Sequence, residues 1–245
     1  MLLKDKTILV TGSSSGIGRS IAIECAKNQA HVLIHYRKNQ AGAKETLQQV
    51  QQYSQGEIYS ADLSVPVQVK HLFASFSAKF PDMLVNNAGE SIPGQFDDYK
   101  LWKSQWENIF MSQVYCVNEF LKNKSDVLKK IVNISSIYGL FNMGDENYPQ
   151  YSAAKAAVNS WTIILARKLK NQCLVNAVAP GWVWTPPWEG TPEETQNNLT
   201  SLTQIKRFIH PDEIASLVVS LLQNDALTGE IIRVDGGLHL PSLGN

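Results

Sequence analysis

Cysteine is scarce in this 245-residue chain: Cys25, Cys116 and Cys173 are widely separated, and each lies in an apolar stretch. An odd, scattered set offers neither a disulfide framework nor a metal-ligand spacing, and reads as reduced core thiols. Net charge is absent as well. Lys and Arg total 22 against 22 Asp and Glu, so no strong field draws the chain to nucleic acid or an anionic membrane surface. No apolar run approaches the roughly 18 residues of a membrane span. The opening MLLKDKTILVTG turns to glycine too soon for a secretory signal, and a cytoplasmic protein without nucleic-acid or membrane partners is expected. Glycine and proline, 15 and 10 residues, are too few for a collagenous or low-complexity chain. No linker rich in Gly, Ser or Pro divides the sequence, and no internal repeat is found. At roughly 150 residues per domain the length allows one full α/β unit or two small ones, and a single domain over 1–245 is expected.

What is present is an alternation of strands and helices. KTILVT at 6–11 reads as a strand, GSSSGIG as a glycine turn and the apolar-periodic stretch after it as a helix. HVLIHY follows, then a helix over 41–53, a weaker strand at 57–60, a helix over 65–80 and a strand in MLVNNAG. The second half predicts a helix over 102–121, the strand KKIVNISS, a helix over 151–169, the strand CLVNAVAPG, a helix around 214–222 and a final strand in EIIRVDGG. Seven strands and at least six helices at these intervals favour one doubly wound α/β sheet with parallel pairing and right-handed crossovers. The proline-bearing, polar stretch 182–207 breaks the alternation and follows a strand end, where α/β folds bind ligands, so it is a candidate lid.

Gly12, Gly16 and Gly18 stand between the first strand and first helix, where glycine permits a tight turn and a helix N-terminus can face phosphate. Their spacing is not that of the common GxGxxG fingerprint, but the strand-turn-helix context points to a nucleotide. After the second strand no acid is placed to grip both ribose hydroxyls, whereas Arg37 and Lys38 can neutralise a 2′-phosphate. NADP(H) is therefore favoured over NAD(H). Asp62 is a candidate for the adenine, and Asn87, Ala88 and Gly89 for the adenosine ribose; the competing reading of these segments is a plain polar turn.

Tyr151 and Lys155 are four residues apart on an expected helix and share a face. A lysine cation near the phenol favours phenolate and would lower the tyrosine toward a useful acid/base range. Ser136, with Ser135 as its nearby competitor, follows a strand and can present a hydroxyl to a substrate oxygen while a nicotinamide delivers hydride to carbon. None of His31, His35, His71, His210 and His239 falls in a metal or triad spacing, and each reads as packing, turn or solvent.

In combination these segments resemble the classical short-chain dehydrogenase/reductase family across essentially the whole chain. The matching segments are Thr11-Gly12-Ser13-Ser14-Ser15-Gly16-Ile17-Gly18, Asn86-Asn87-Ala88-Gly89, Ser136 with Tyr151-Ala-Ala-Ala-Lys155, Pro180-Gly181 with Thr185, and Val234-Asp235-Gly236-Gly237. The resemblance implies a single-domain, three-layer Rossmann-like fold with a seven-stranded parallel sheet, hydride transfer with a nicotinamide cofactor, and no required metal. Ser136 would polarise the reacting oxygen, Tyr151 would be the acid/base, and Lys155 would assist it while holding the nicotinamide ribose. Ser13, Ser15 and Ile17 would accompany the glycines around the pyrophosphate and ribose. Asp62 and Leu63 would flank adenine, and Pro180, Gly181, Val183 and Thr185 would approach the nicotinamide side. The family also implies a homodimer or homotetramer, with helices around 104–121 and 151–169 at one interface and the last helix and strand at another.

Two departures stand out. Where the family often carries an Asn on the helix before the Ser136 strand, the count from Trp106 reaches Gln113, whose amide sits one methylene further out. The interval from Ser136 to Tyr151 is also longer than the family's commonest. Trp182, Trp184 and Trp188, with Tyr138, Phe141 and Met143, are candidates for an apolar substrate wall. A basic surface for a carrier protein could be assembled from Lys122, Lys124, Lys129 and Lys130. The leading expectation is an NADP(H)-dependent carbonyl reductase or alcohol dehydrogenase acting on a small molecule, in or near the 3-oxoacyl carrier-protein reductase branch. Dehydratase or epimerase chemistry, or a catalytically weak nucleotide sensor, stay open as alternatives.

Overall fold

Strands rich in Val, Ile and Leu that are buried on both faces must be covered on both sides, and this requirement builds the molecule. The computed structural model describes residues 2–76, 79–124 and 127–240. Its strands are β1 (Thr7–Val10), β2 (His31–Tyr36), β3 (Gly56–Ser60), β4 (Met83–Asn86), β5 (Lys129–Ile134), β6 (Cys173–Pro180) and β7 (Ile231–Val234). They form one sheet in the order β3-β2-β1-β4-β5-β6-β7, with every pairing parallel. The helices are α1 (Gly16–Lys27), α2 (Gln40–Val50), α3 (Pro66–Ala74), α4 (Tyr99–Gln105), α5 (Ser112–Lys122), α6 (Pro149–Leu169), α7 (Glu193–Ser201) and α8 (Pro211–Gln223).

The period-two alternation of each strand divides the core into two layers. Ile8, Val10, Val32 and Ile34 point to one side and pack with α1 and α8 residues such as Ile21, Ile214 and Val218. Leu9, Leu33, Leu84 and Ile131 point to the other and meet Val69, Val117, Phe120 and Leu165 from α3, α5 and α6. Cys25, Cys116 and Cys173 are free and buried in these layers, and burial pushes all three thiols up to about 12. The chain leaves β1 for β2 and β3 on one side, then returns to place β4 on the other. The carboxyl ends of β1 and β4 thus border the crevice where such sheets bind ligands.

Three expected helices differ in detail. The 65–80 helix ends at Ala74, and residues 77 and 78 of that span lie outside those described. The 102–121 helix starts earlier, at Tyr99, and widens into a π-helical turn over Trp106–Met111 before α5. The Tyr151 helix begins at Pro149, because proline is suited to a first turn, where an N–H would be unpaired. The 182–207 excursion carries a 3-10 turn at Pro186–Trp188 and then α7. Its two ends are pinned together: Trp184 N–H donates to the Ile209 carbonyl and Ile209 N–H to the Trp182 carbonyl, both at 2.9 Å.

Candidate active site

Two cavities of about 510 and 500 Å³ meet along the carboxyl end of the sheet and share Gly12, Ser15, Asn87, Gly89 and Glu90 in their walls. The first runs to Arg37, Lys38, Asp62 and Leu63, and the second to Ser136, Tyr151, Lys155, Gly181, Val183 and Thr185. The joint trough fits an extended dinucleotide, with the glycine turn at its middle.

Glycine is required in that turn. Gly12 has φ +64° and its missing Cβ would stand 2.8 Å from Ala88 Cα, while a Cβ on Gly18 would stand 2.4 Å from both the Gly12 carbonyl oxygen and Asn87 Nδ2. The turn thereby packs directly on the Asn87 segment. Thr11, which lies in the matched motif but carried no assigned role, ties the two together: its Oγ1 accepts from Asn87 N–H at 2.9 Å and Ala88 N–H at 3.0 Å. Asn87 Nδ2 donates to the Thr11 and Gly12 carbonyls at 2.9 and 3.1 Å. The bond between Asn87 and Thr11 spans 76 residues of sequence, so helix and strand periodicity could not disclose it.

Ser13 does not take its expected place. It is fully buried, its Oγ donates to the Val10 carbonyl at 2.8 Å and accepts from His35 N–H at 3.1 Å, and Ser14 and Ser15 line the trough instead. The positive φ at Gly12 turns the next side chain into the fold. Ile17, Gly16 and Pro180 do line the cavity that holds Tyr151. At the adenosine end the Asp62 carboxyl lies below its usual range: burial raises it, but the Ser64 hydroxyl and amide, both donating to Oδ1 at 2.6 and 3.0 Å, outweigh that with help from Arg37 and Lys38. Arg37 Nη1 donates to Asn108 Oδ1 at 3.0 Å.

Ser136, Tyr151 and Lys155 converge at the other end. Ser136 and Tyr151 line the same cavity, with the serine hydroxyl placed to favour the phenolate, and Ser136 Oγ accepts from Tyr138 N–H at 3.2 Å. Ser135 directs its hydroxyl to the Lys155 carbonyl at 3.3 Å, which leaves Ser136 as the serine paired with Tyr151. Gly139 lets this loop lie against α6, since a Cβ there would stand 2.5 Å from the Lys155 carbonyl carbon. Lys155 is 3 % exposed; its Nζ donates to the Ile134 carbonyl at 2.7 Å and stands 5.5 Å from the Tyr151 ring centroid. The expected lowering of Tyr151 by this lysine is not found. Burial pushes the phenol up to about 12 with the Ser136 hydroxyl opposing it, and burial lowers Lys155 to about 7. Desolvation disfavours the charged form of each group.

Gln113 is 2 % exposed, and neither end of its amide has a hydrogen-bond partner among the described residues, so no direct link joins it to Lys155. The aromatic wall of the cavity that holds Tyr151 is formed by Tyr138, Tyr148, Trp182 and Trp188. Trp182 Nε1 donates to the Tyr138 hydroxyl at 3.3 Å. Trp184 instead packs edge-on against Phe208, Phe141 is 90 % exposed, and neither these two nor Met143 lines the cavity. The expected basic patch is also broken. Lys129 is buried over the Phe80 and Phe120 rings, and Lys130 is buried against the Asn224 carbonyl and the Asp225 carboxylate.

No helix among the described residues is long and apolar enough to cross a membrane. A family model described as Enoyl-(Acyl carrier protein) reductase matches residues 12–239. General stress protein 39 of Bacillus subtilis is 33% identical over 251 residues, covering 96% of this chain and 85% of that protein. The 3-oxoacyl-[acyl-carrier-protein] reductase FabG of Thermotoga maritima is 30% identical over 258 residues, covering 97% and 99%. The structure of the Pseudomonas aeruginosa RhlG/NADP active-site complex superposes with a TM-score of 0.88 at 28% identity, covering 97% of this chain and 98% of that one. With a glycine turn packed on the Asn87 segment and Ser136, Tyr151 and Lys155 gathered at the far end of one trough, the chain belongs to the classical short-chain dehydrogenase/reductase family.

Proposed function

We propose that Ser136, Tyr151 and Lys155 carry out the chemistry of an NADP(H)-dependent oxidoreductase that interconverts a small carbonyl compound and its secondary alcohol. The observation that carries this reading is the shared cavity of Ser136, Tyr151 and Lys155 at one end of a trough whose other end holds Arg37 and Lys38. When bound, the nicotinamide supplies hydride to the carbonyl carbon or accepts it from the alcohol. Ser136 Oγ binds the reacting oxygen. The Tyr151 hydroxyl gives that oxygen its proton in reduction and takes it back in oxidation. Lys155, anchored on the Ile134 carbonyl, holds the nicotinamide ribose and favours the phenolate once it carries its charge.

The NADP of the Pseudomonas aeruginosa neighbour supports the choice of cofactor, with Arg37 and Lys38 taking the 2′-phosphate. Gly12, Ser15, Gly16, Ile17 and Gly18 cradle the pyrophosphate. Asp62 and Leu63 flank adenine, Asn87, Ala88 and Gly89 the adenosine ribose, and Pro180, Gly181, Val183 and Thr185 the nicotinamide. Gln113 acts as a positioning residue through bound water, because a buried amide with both ends unpaired among the described residues is the kind of group that retains one. Residues 182–207 form the lid, and a homodimer or homotetramer would cover the half-exposed Trp106 and Ile164 on the π-turn and α6.

Titration with NADPH and NADH, followed by reduced-cofactor absorbance across 3-oxoacyl thioesters, diketones, quinones and sugar ketones, tests the reading. The expected result is tighter NADPH binding and substrate-dependent oxidation of NADPH. Binding of neither nucleotide overturns it.

A further inference from the structure

His35 takes no part in the chemistry above, yet it joins the glycine turn to the loop that carries Asp62. It is 2 % exposed, near the end of β2, in the wall of the adenosine cavity. Its Nδ1 faces the Gly12 amide at 3.1 Å. A backbone N–H can only donate, so Nδ1 accepts and carries no proton. The proton sits on Nε2, 3.1 Å from the Ala61 carbonyl oxygen, which can only accept. Both ends thus demand one neutral tautomer. Burial lowers the imidazole to about 4, the Ala61 bond and Asp62 opposing the shift and Arg37 adding to it. The backbone repeats the tie, with Ser13 N–H donating to the His35 carbonyl at 2.9 Å and His35 N–H donating to Ser13 Oγ at 3.1 Å.

We propose that His35 is a positioning residue: its neutral ring is a strut between the glycine turn and the loop of Asp62, and it sets the separation of the pyrophosphate and adenine subsites, hence the affinity for the whole dinucleotide. The proposal rests on the NADP(H) reading above. A ring that only fills space can be replaced by an apolar side chain of similar bulk with a change in stability alone. A strut can be replaced only by a side chain that keeps its polar ends. Asn places an amide oxygen near the position of Nδ1 and retains an acceptor for Gly12. Gln places an amide nitrogen near Nε2 and retains a donor for Ala61. Leu keeps neither.

The test titrates the wild type, His35→Asn, His35→Gln and His35→Leu with NADPH by calorimetry, alongside thermal melting and turnover at saturating cofactor. The Kd for NADPH is expected to rise about tenfold or more in the Leu variant, with Asn and Gln between it and the wild type, as the loss of two buried hydrogen bonds requires. In each variant kcat is expected to change less than Kd. Adenosine 2′-monophosphate, which occupies the adenine end alone, should bind the wild type and the Leu variant within about twofold, because it does not sense the spacing. Nitrogen-15 NMR of the wild-type imidazole should show the Nε2–H tautomer. Equal NADPH affinity across the four proteins overturns the strut, and so does an Nδ1–H tautomer or equal impairment of the polar and apolar variants. If the Leu variant does not fold, Asn and Gln decide: NADPH affinity equal to wild type in both overturns the proposal, and loss in both supports it. A wild type that binds NADPH while the variants match it removes the strut alone; a wild type that binds neither nucleotide removes the NADP(H) reading with it.

Discussion

Arg37 Nη1 donates to Asn108 Oδ1 at 3.0 Å and so joins the loop after β2 to the π-helical turn across the adenosine cavity. Asn108 is itself oriented, since its Nδ2 donates to the Ser104 carbonyl at 2.8 Å and the Ser104 hydroxyl at 3.1 Å, leaving Oδ1 turned to the guanidinium. The pair is exposed and adds little to stability, but it points a cation at the end of the trough where a 2′-phosphate would lie.

Arg37→Ala is therefore expected to raise KM for NADPH by about tenfold or more while changing KM for NADH little, because a phosphate–guanidinium contact is charge-assisted. Asn108→Ala should shift the same ratio in the same direction by less. Steady-state kinetics with both nucleotides check this. An equal effect of Arg37→Ala on the two cofactors would remove Arg37 from the phosphate site.

Tyr151→Phe keeps the ring and deletes the hydroxyl that shares the cavity with Ser136. Turnover should fall by roughly 10²–10⁴-fold, the range of a lost general acid/base, with NADPH affinity in direct titration largely retained. Residual turnover near that of the wild type would assign the proton transfer elsewhere.

Gln113→Leu replaces a buried amide that has no partner among the described residues with an apolar side chain, so its melting temperature should equal or exceed that of the wild type. If bound water carries the link to Lys155, kcat should drop and its pH profile should shift, and Gln113→Asn should restore part of both. A variant that is more stable and fully active would leave Gln113 out of catalysis.

Lys155 gives a stability profile with a definite sign. Its folded-state pKa, near 7, lies below the ordinary 10.5 because burial disfavours the ammonium. Between these values the unfolded chain binds the extra proton, so stability rises with pH across that window and this contribution is lost on acidification toward 7. Urea unfolding of the cofactor-free protein at pH 7 and pH 9 should show the rise, at up to about 1.4 kcal/mol per pH unit for one proton. Lys155→Met should reduce it by that amount. An identical pH slope in the two proteins would mean that the ammonium is solvated in the folded state.

Much of the site was legible because its parts are local. Gly12, Gly16 and Gly18 lie within one turn, Tyr151 and Lys155 lie one helical turn apart, and Arg37 and Lys38 follow directly on a strand of recognisable pattern. The orientation of Ser13 was not legible, because it depends on the backbone of Gly12 and on His35, 22 residues away. Lys129 and Lys130 read as a basic surface since neighbouring residues on a strand give no sign of what covers them; Phe80, Phe120 and Asp225 do so in space.

The sequence by itself determined the seven parallel strands, the crossover helices and the placing of glycine, tyrosine and lysine along them, because apolar periodicity and turn residues act over a few positions. Only the tertiary structure decided which side chains face the trough, that His35 spans Gly12 and Ala61, that Asn108 meets Arg37, and that Lys155 is desolvated. Each of these depends on separate strands and helices being brought within hydrogen-bond distance or shielded from water, and those are properties of packing that short-range pattern does not carry.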